Sequence, residues 1–189
     1  DLVVVAGLGQ YVAEGVDVHV VTCTGGERGS ILNPKMDRPD VLANMTAIRR
    51  QEMETAREIL GVRQDWLGFV DSGWPEGDPK PPLPEGCFGL VDVKVGAEPL
   101  VRLIRSFKPH VIVAMFSGTP RDGHGHHQAS GILAREAYDV AGDTVRLPRS
   151  ATAGLGGWTP LKFYRGAWSA AATDPVLRIN VGEFNPMLG

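Results

Sequence analysis

Cysteine is nearly absent: Cys23 and Cys87 are the two among 189 residues. That is too few for a disulfide framework, so a reducing cytoplasm is the expected compartment. Long apolar runs are missing too. No stretch approaches the roughly 20 residues a membrane span needs, and no signal-peptide pattern opens the chain. There is no basic excess either. Lys and Arg number 19 against 22 Asp and Glu, for a net charge of −3, which offers no electrostatic reason to expect a nucleic-acid partner. No internal repeat, low-complexity tract or linker interrupts the sequence, so one domain over residues 1–189 is expected. Glycine and proline, by contrast, are plentiful at 24 and 14. They point to long, shaped loops, where ligand sites tend to sit.

The first third alternates apolar runs and amphipathic stretches. Val3-Val4-Val5-Ala6 reads as a buried strand, Gln10 to Glu14 as a helix that Gly15 terminates, and Val16 to Thr22 as a second strand. A polar loop from Thr24 to Asp40 leads into a long helix, Val41 to Leu60, with Gly61 as its cap. Trp66 to Val70 reads as the third strand, and the Pro- and Gly-rich segment Asp71 to Gly89 as a long loop. A helix over Glu98 to Phe107, a strand over His110 to Met115 and a helix over His127 to Val140 follow. Ala141 to Pro160 looks irregular, and Lys162 to Trp168 and Val176 to Val181 are candidate strands. Strand–helix alternation predicts a Rossmann-like α/β fold with a mostly parallel sheet flanked by helices. Such sheets bind ligands at the carboxyl ends of their strands, so the loops after Ala6, Thr22, Val70 and Met115 are expected to converge.

Four loci carry candidate chemistry. The densest is Asp122-Gly123-His124-Gly125-His126-His127, which holds three of the five histidines. Clustered imidazoles suit metal binding or proton transfer, although a polar helix start is the ordinary alternative. One loop cannot complete a catalytic zinc site, which usually needs three protein ligands and an open position. The second locus is Thr24-Gly25-Gly26-Glu27-Arg28-Gly29, where backbone can approach a ligand and Glu27 and Arg28 can meet hydroxyls or charges. Arg49, in the helical run Arg49-Arg50-Gln51-Glu52, reads locally as an exposed helix face, and Asp71-Ser72-Gly73 as a turn with a carboxylate to offer. A rival reading is a dinucleotide turn at Gly7-Leu8-Gly9. It lacks the third small residue, where Val12 stands, and an acidic residue after the second strand.

Taken together, these loops resemble the LmbE/PIG-L family of zinc-dependent N-deacetylases and amidases over nearly the whole chain. Thr24 to Pro34, Trp66 to Gly73 and the segment through Gly86-Cys87-Phe88 are similar to its mycothiol S-conjugate amidase branch. That branch usually reads His-Pro-Asp-His where this chain has His124-Gly125-His126-His127. The resemblance implies zinc (Zn2+) as cofactor, His127 as a metal ligand, and His124 as the group that stabilises the oxyanion or protonates the leaving amine. It implies that Arg49 and Asp71 hold sugar or inositol hydroxyls, with Glu27 and Arg28 in the loop lining that pocket. The expected function is hydrolysis of the amide of an N-acylated amino sugar. The partner is then a small amino-sugar or thiol-conjugate substrate, and a homo-oligomer is compatible with the reading. Two alternatives stay open: a non-catalytic sugar-binding relative and the dinucleotide-binding domain.

One departure stands out. The family carries an Ala-His-Pro-Asp-Asp-Glu-type motif after its first strand, supplying a His and an Asp as ligands and a second Asp as base. Here Ala6 runs directly into Gly7-Leu8-Gly9. Either residues are omitted at this junction or the protein has lost its catalytic loop; the family likeness on both flanks favours omission. The chain also stops soon after what resembles a family strand, so further C-terminal residues are expected. An intact mass above 20.3 kDa, with peptide mapping placing extra residues between Ala6 and Gly7, is the expected result. A mass equal to that value would mean that the motif is gone.

Overall fold

The computed structural model describes residues 2–71, 87, 93–149, 152–166, 176, 177 and 179. Its contacts divide the chain into two compact units; the described residues up to Asp71 fall in the first, and those from Cys87 to Gly166 in the second.

The first unit opens with a correction. Val3 to Ala6, expected as a strand, belong to helix α1 (Leu2–Ala13). A strand there would need loop residues to reverse into the next helix, and the direct Ala6–Gly7 junction provides none. Helix propagation adds a hydrogen bond per residue once a nucleus exists, so the downstream helix continues back across the junction. Gly7 and Gly9 therefore lie inside a helix, and neither has a positive φ. The strand-to-helix glycine turn on which the dinucleotide reading depends is not formed. As expected, Gly15 ends α1: with φ +86 it lets the Gly15 N–H donate to Val12 O and the Val16 N–H to Tyr11 O, each at 2.9 Å.

Strand β1 (His19–Thr24) comes next, then α2 (Pro39–Ala43), α3 (Met45–Leu60) and β2 (Arg63–Phe69). The single helix expected over Val41 to Leu60 is thus two. At Asn44 the side-chain amide donates to Asp40 O at 2.8 Å, competing with the helical ladder, and the backbone leaves the helical region (φ −113, ψ 14). Gly61 caps α3 in the left-handed region at φ 69. β1 and β2 pair in parallel from His19↔Arg63 to Thr22↔Trp66, then shift to Thr24↔Phe69. The extra residue lies on β2, where Gly68 takes φ +74. Such a bulge re-aims the strand end, here immediately before Asp71.

In the second unit α4 (Val93–Phe107) precedes β3 (Val111–Ala114), α5 (Gly125–Val140) and β4 (Lys162–Arg165), with β3 and β4 parallel. α4 starts five residues earlier than expected (98 − 93), reaching upstream of Pro99. The core is the α4–α5 interface. Ala129, Leu133 and Ala137 of α5 recur every fourth residue with 0% exposure, against Ala97 and Val101 of α4, also 0%. The expected long loop over Asp71 to Gly89 and the strand over Val176 to Val181 lie almost wholly outside the described residues.

Beside that interface Arg105 is 1% exposed. Its guanidinium donates to Ala141 O (2.8 Å), Leu147 O (2.9 Å), Asp143 O (3.1 Å) and Thr152 Oγ1 (2.8 Å). One α4 side chain thereby anchors the end of α5 and the irregular segment after it. Ala141 O and Asp143 O keep backbone donors in the Trp158 and Leu147 N–H groups, but four charge-assisted bonds are lost, so Arg105→Met should cost about 3 kcal/mol. Arg135→Ala, which breaks an exposed pair with Asp139, should cost under about 1 kcal/mol. Urea unfolding of both variants checks the contrast.

Candidate functional site

In each unit the candidate residues sit where parallel strands end. After β1 the chain turns through Gly25 and Gly26. A Cβ at Gly25 would lie 2.9 Å from Thr46 Cγ2 and 3.0 Å from Glu27 Oε2, so only glycine fits without a shift. Gly26 takes φ +66, and the stem of Arg49 lies against it. Two reciprocal bonds then join this loop to the end of β2. The Asp71 N–H donates to Glu27 Oε1 at 2.9 Å, and the Arg28 N–H donates to Asp71 Oδ2 at 3.1 Å. The expected meeting of the loops after Thr22 and Val70 is therefore present, with Asp71 buried at 8% exposure. The other carboxylate oxygen, Glu27 Oε2, is buried with no donor among the described residues. Arg49 is exposed and pairs with Glu52 Oε2 at 3.1 Å. Nearby on β1, burial pushes the Cys23 thiol up to about 11, which leaves it un-ionised and a poor nucleophile at neutral pH.

The second locus lies after β3. Asp122 organises it: its carboxylate accepts from the Ser117, Gly118 and Thr119 N–H groups (3.1, 2.7 and 3.1 Å) and from the Ser117 hydroxyl (3.0 Å). Burial alone would raise the Asp122 pKa, but these donors outweigh it and hold the carboxyl below its usual range. The loop lies directly on α5. A Cβ at Gly131 would come within 2.3 Å of Gly118 N, and one at Gly118 within 2.9 Å of Ile132 N. Both glycines are required by that approach.

On this platform the three imidazoles are oriented differently. His124 is the residue before α5, with extended backbone (φ −75, ψ 141). Its Nδ1 accepts from the His126 N–H at 3.2 Å. His127 stacks on Phe116, centroids 4.0 Å apart and planes 7° apart, and its Nδ1 lies 3.2 Å from Asp122 O. A carbonyl only accepts, so His127 carries its proton on Nδ1 and its lone pair on Nε2, the arrangement that suits a metal ligand. The His124 and His127 rings are 5.3 Å apart. Among the described residues no group of three His, Cys, Asp or Glu could hold a metal ion.

Sequence reasoning located Asp122 within the cluster but assigned it no task. Thr119-Pro120-Arg121-Asp122 carried the signal, a Thr followed three residues on by an acid with Pro between, as at a helix start.

Comparison with known proteins gives this geometry its context. The family profile described as PIG-L, GlcNAc-PI de-N-acetylase, matches residues 1–138. The chain belongs to the PIG-L family. Mycothiol S-conjugate amidase of Streptomyces coelicolor is 53% identical over 162 residues, covering 84% of this chain and 54% of the amidase. The 1D-myo-inositol 2-acetamido-2-deoxy-alpha-D-glucopyranoside deacetylase of a Nocardioides species is 34% identical, covering 92% of this chain and 60% of the deacetylase. This PIG-L chain therefore spans little more than half the length of these relatives. N,N'-diacetylchitobiose deacetylase from Pyrococcus horikoshii superposes with a TM-score of 0.61 at 21% identity, over 82% of this chain and 51% of that one, and so shares the fold.

The Asp122 platform has a measurable weight. Asp122→Ala removes the shared acceptor of four donors, of which the Thr119 N–H and the Ser117 hydroxyl keep a second partner, and a loss of about 2–4 kcal/mol is expected, read from thermal or urea unfolding. A loss below about 0.5 kcal/mol would mean that the carboxylate does not hold the loop.

Proposed function

We propose that this PIG-L chain carries the hydrolytic chemistry of an enzyme that cleaves the amide of an N-acylated amino sugar. The substrate would be an N-acetylglucosaminyl–inositol compound or a mycothiol S-conjugate. The products are a free amine and a carboxylate. The observation that carries the reading is the opposite polarity of two neighbouring imidazoles. His127 has its lone pair on Nε2 because Nδ1–H is engaged by Asp122 O. His124 has its lone pair on Nδ1, engaged by the His126 N–H, so its proton lies on Nε2. Hydrolysis of an amide needs both a ligating nitrogen and a proton donor.

In this reading His127 would hold zinc through Nε2. A zinc ion held there would supply a more acidic water and a polarised amide carbonyl. His127 alone does not make a zinc site, and the described residues contain no second and third ligand beside it. His124 gives its Nε2 proton to the oxygen that gains charge or to the departing amine. The hydroxyl-rich part of the substrate falls to Glu27, Arg28, Arg49 and Asp71, and Glu27 Oε2, which meets no donor among the described residues, suits a sugar hydroxyl. The cytoplasmic setting expected from the scarcity of cysteine belongs to the same reading. The shortage of metal ligands among the described residues favours a second one: a sugar-binding relative that does not hydrolyse.

The two readings part in one assay. Primary-amine release from a mycothiol S-conjugate and from the inositol N-acetylglucosaminide is measured with and without a chelator, alongside the zinc content. Release that stops on chelation, returns with zinc and falls about 100-fold in His124→Ala supports the hydrolase. Saturable binding of the same compounds without amine release would replace it with the second reading.

A further inference from the structure

The imidazole of His127 turns on a torsion with little preference of its own. The last torsion of a histidine side chain joins tetrahedral to planar carbon, so its wells are broad and roughly two-fold. Two contacts narrow it. The contact of Nδ1 with Asp122 O at 3.2 Å selects which edge of the ring faces the loop. Phe116 lies flat against the ring, with centroids 4.0 Å apart and planes 7° apart. With plane and edge both set, the direction of Nε2 follows. The backbone of Phe116 is in turn gripped from two sides. On one side is α5, where Gly131 lies one turn beyond His127 on the same face. A Cβ at Gly131 would come 2.9 Å from Phe116 O. On the other side is the end of β4. The Gly166 N–H donates to Ala114 O at 2.8 Å. A Cβ at Gly166 would overlap Met115 O and lie 3.1 Å from Met115 C. That carbonyl belongs to the peptide unit that enters Phe116, so any side chain at 166 displaces it.

We propose that Phe116 is a positioning residue for His127, held between Gly131 and Gly166 so that its ring fixes the plane of the imidazole. The proposal rests on the reading in which His127 Nε2 serves the reaction. A peptide displaced at Met115 cannot be absorbed by moving Phe116 toward α5, because the Gly131 backbone already stands there. The displacement passes to the phenyl ring, and the stack is lost. An aliphatic side chain at 116 would keep an apolar contact but has no flat face, so the imidazole would turn about its last torsion. Groups that orient a ligating histidine typically account for about 10–100-fold of activity, and a flat neighbour acts on the same torsion as they do.

The test reads the stack by NMR, in the full chain and without depending on turnover. The ring protons of ¹³C-labelled histidine are recorded, and His127→Gln assigns the His127 signals. A proton over the face of a phenyl ring is moved upfield by the ring current. In the unaltered chain and in Phe116→Tyr the His127 signals should lie upfield. In Phe116→Leu they should return to the position of an exposed histidine. In Gly166→Ala, which keeps the phenyl ring but moves its peptide, the upfield shift should shrink. No upfield shift in the unaltered chain, or an undiminished one in Gly166→Ala, overturns the proposal. In the amine-release assay Phe116→Leu and Gly166→Ala should each lower kcat about tenfold with KM steady, the low end of what such orienting groups carry. Phe116→Tyr should keep most of the rate. Turnover with equal kcat in the Leu and Tyr variants overturns the positioning role. If Phe116→Leu does not fold, an unchanged kcat in Gly166→Ala overturns it instead. Absence of turnover in the unaltered chain would overturn the hydrolase reading, while the spectra still decide the stack.

Discussion

The buried guanidinium of Arg105 is the interaction on which the second unit depends. A cation with 1% exposure is tolerable in a protein interior only if its donors are met. Here they are met by Ala141 O, Asp143 O, Leu147 O and Thr152 Oγ1. The acceptors lie at and beyond the carboxyl end of α5, where helical carbonyls lack partners and cations are favoured by the helix dipole. The bond set thus satisfies two needs together, and it orders a glycine- and proline-rich segment that has little regular structure of its own.

The opposite end of α5 is fixed by different means. There the Asp122 carboxylate gathers four donors, and Gly118 and Gly131 let the loop backbone sit directly on the helix. With both ends held and Ala129, Leu133 and Ala137 buried against α4, α5 presents its first residues from a rigid base. That anchoring matters because the chemistry proposed for His124 and His127 depends on which nitrogen of each ring carries a proton. Ring orientation decides this, through the carbonyl of Asp122 and the N–H of His126.

Membership of the PIG-L family and 53% identity to a mycothiol S-conjugate amidase set the chemical class in which these side chains are read. The matched stretch covers 54% and 60% of these relatives, so their activities enter as proposals. The Glu27–Asp71 and Asp71–Arg28 bonds belong to the same picture. Asp71, whose Oδ2 accepts from the Arg28 N–H, and Glu27, whose Oε2 meets no donor among the described residues, are the side chains that the proposed reading gives to substrate hydroxyls.

Much of the architecture was legible from the sequence alone. Apolar runs located β1, β2 and β3, the stretch from His127 to Val140 read as the helix that became α5, and Gly15 and Gly61 marked helix ends, because these signals arise from local sterics and periodicity. The histidine cluster and the glycine loop also stood out, since residue type suffices to nominate chemistry. Other features required the folded chain. Val3 to Ala6 have strand-like composition, but their state depends on the residues joined to Ala6, and helix continuity prevailed. Asn44 divides a helix through a side-chain bond that periodicity does not register. Arg105 reads in sequence as one more charge on a helix face; only packing reveals that its partners are oxygens 36 to 47 residues away. The sequence by itself determined which residues are able to ligate, donate or turn. Tertiary structure decided which nitrogen of His124 and of His127 is left to do so, because a tautomer is chosen by the partner a ring meets in space.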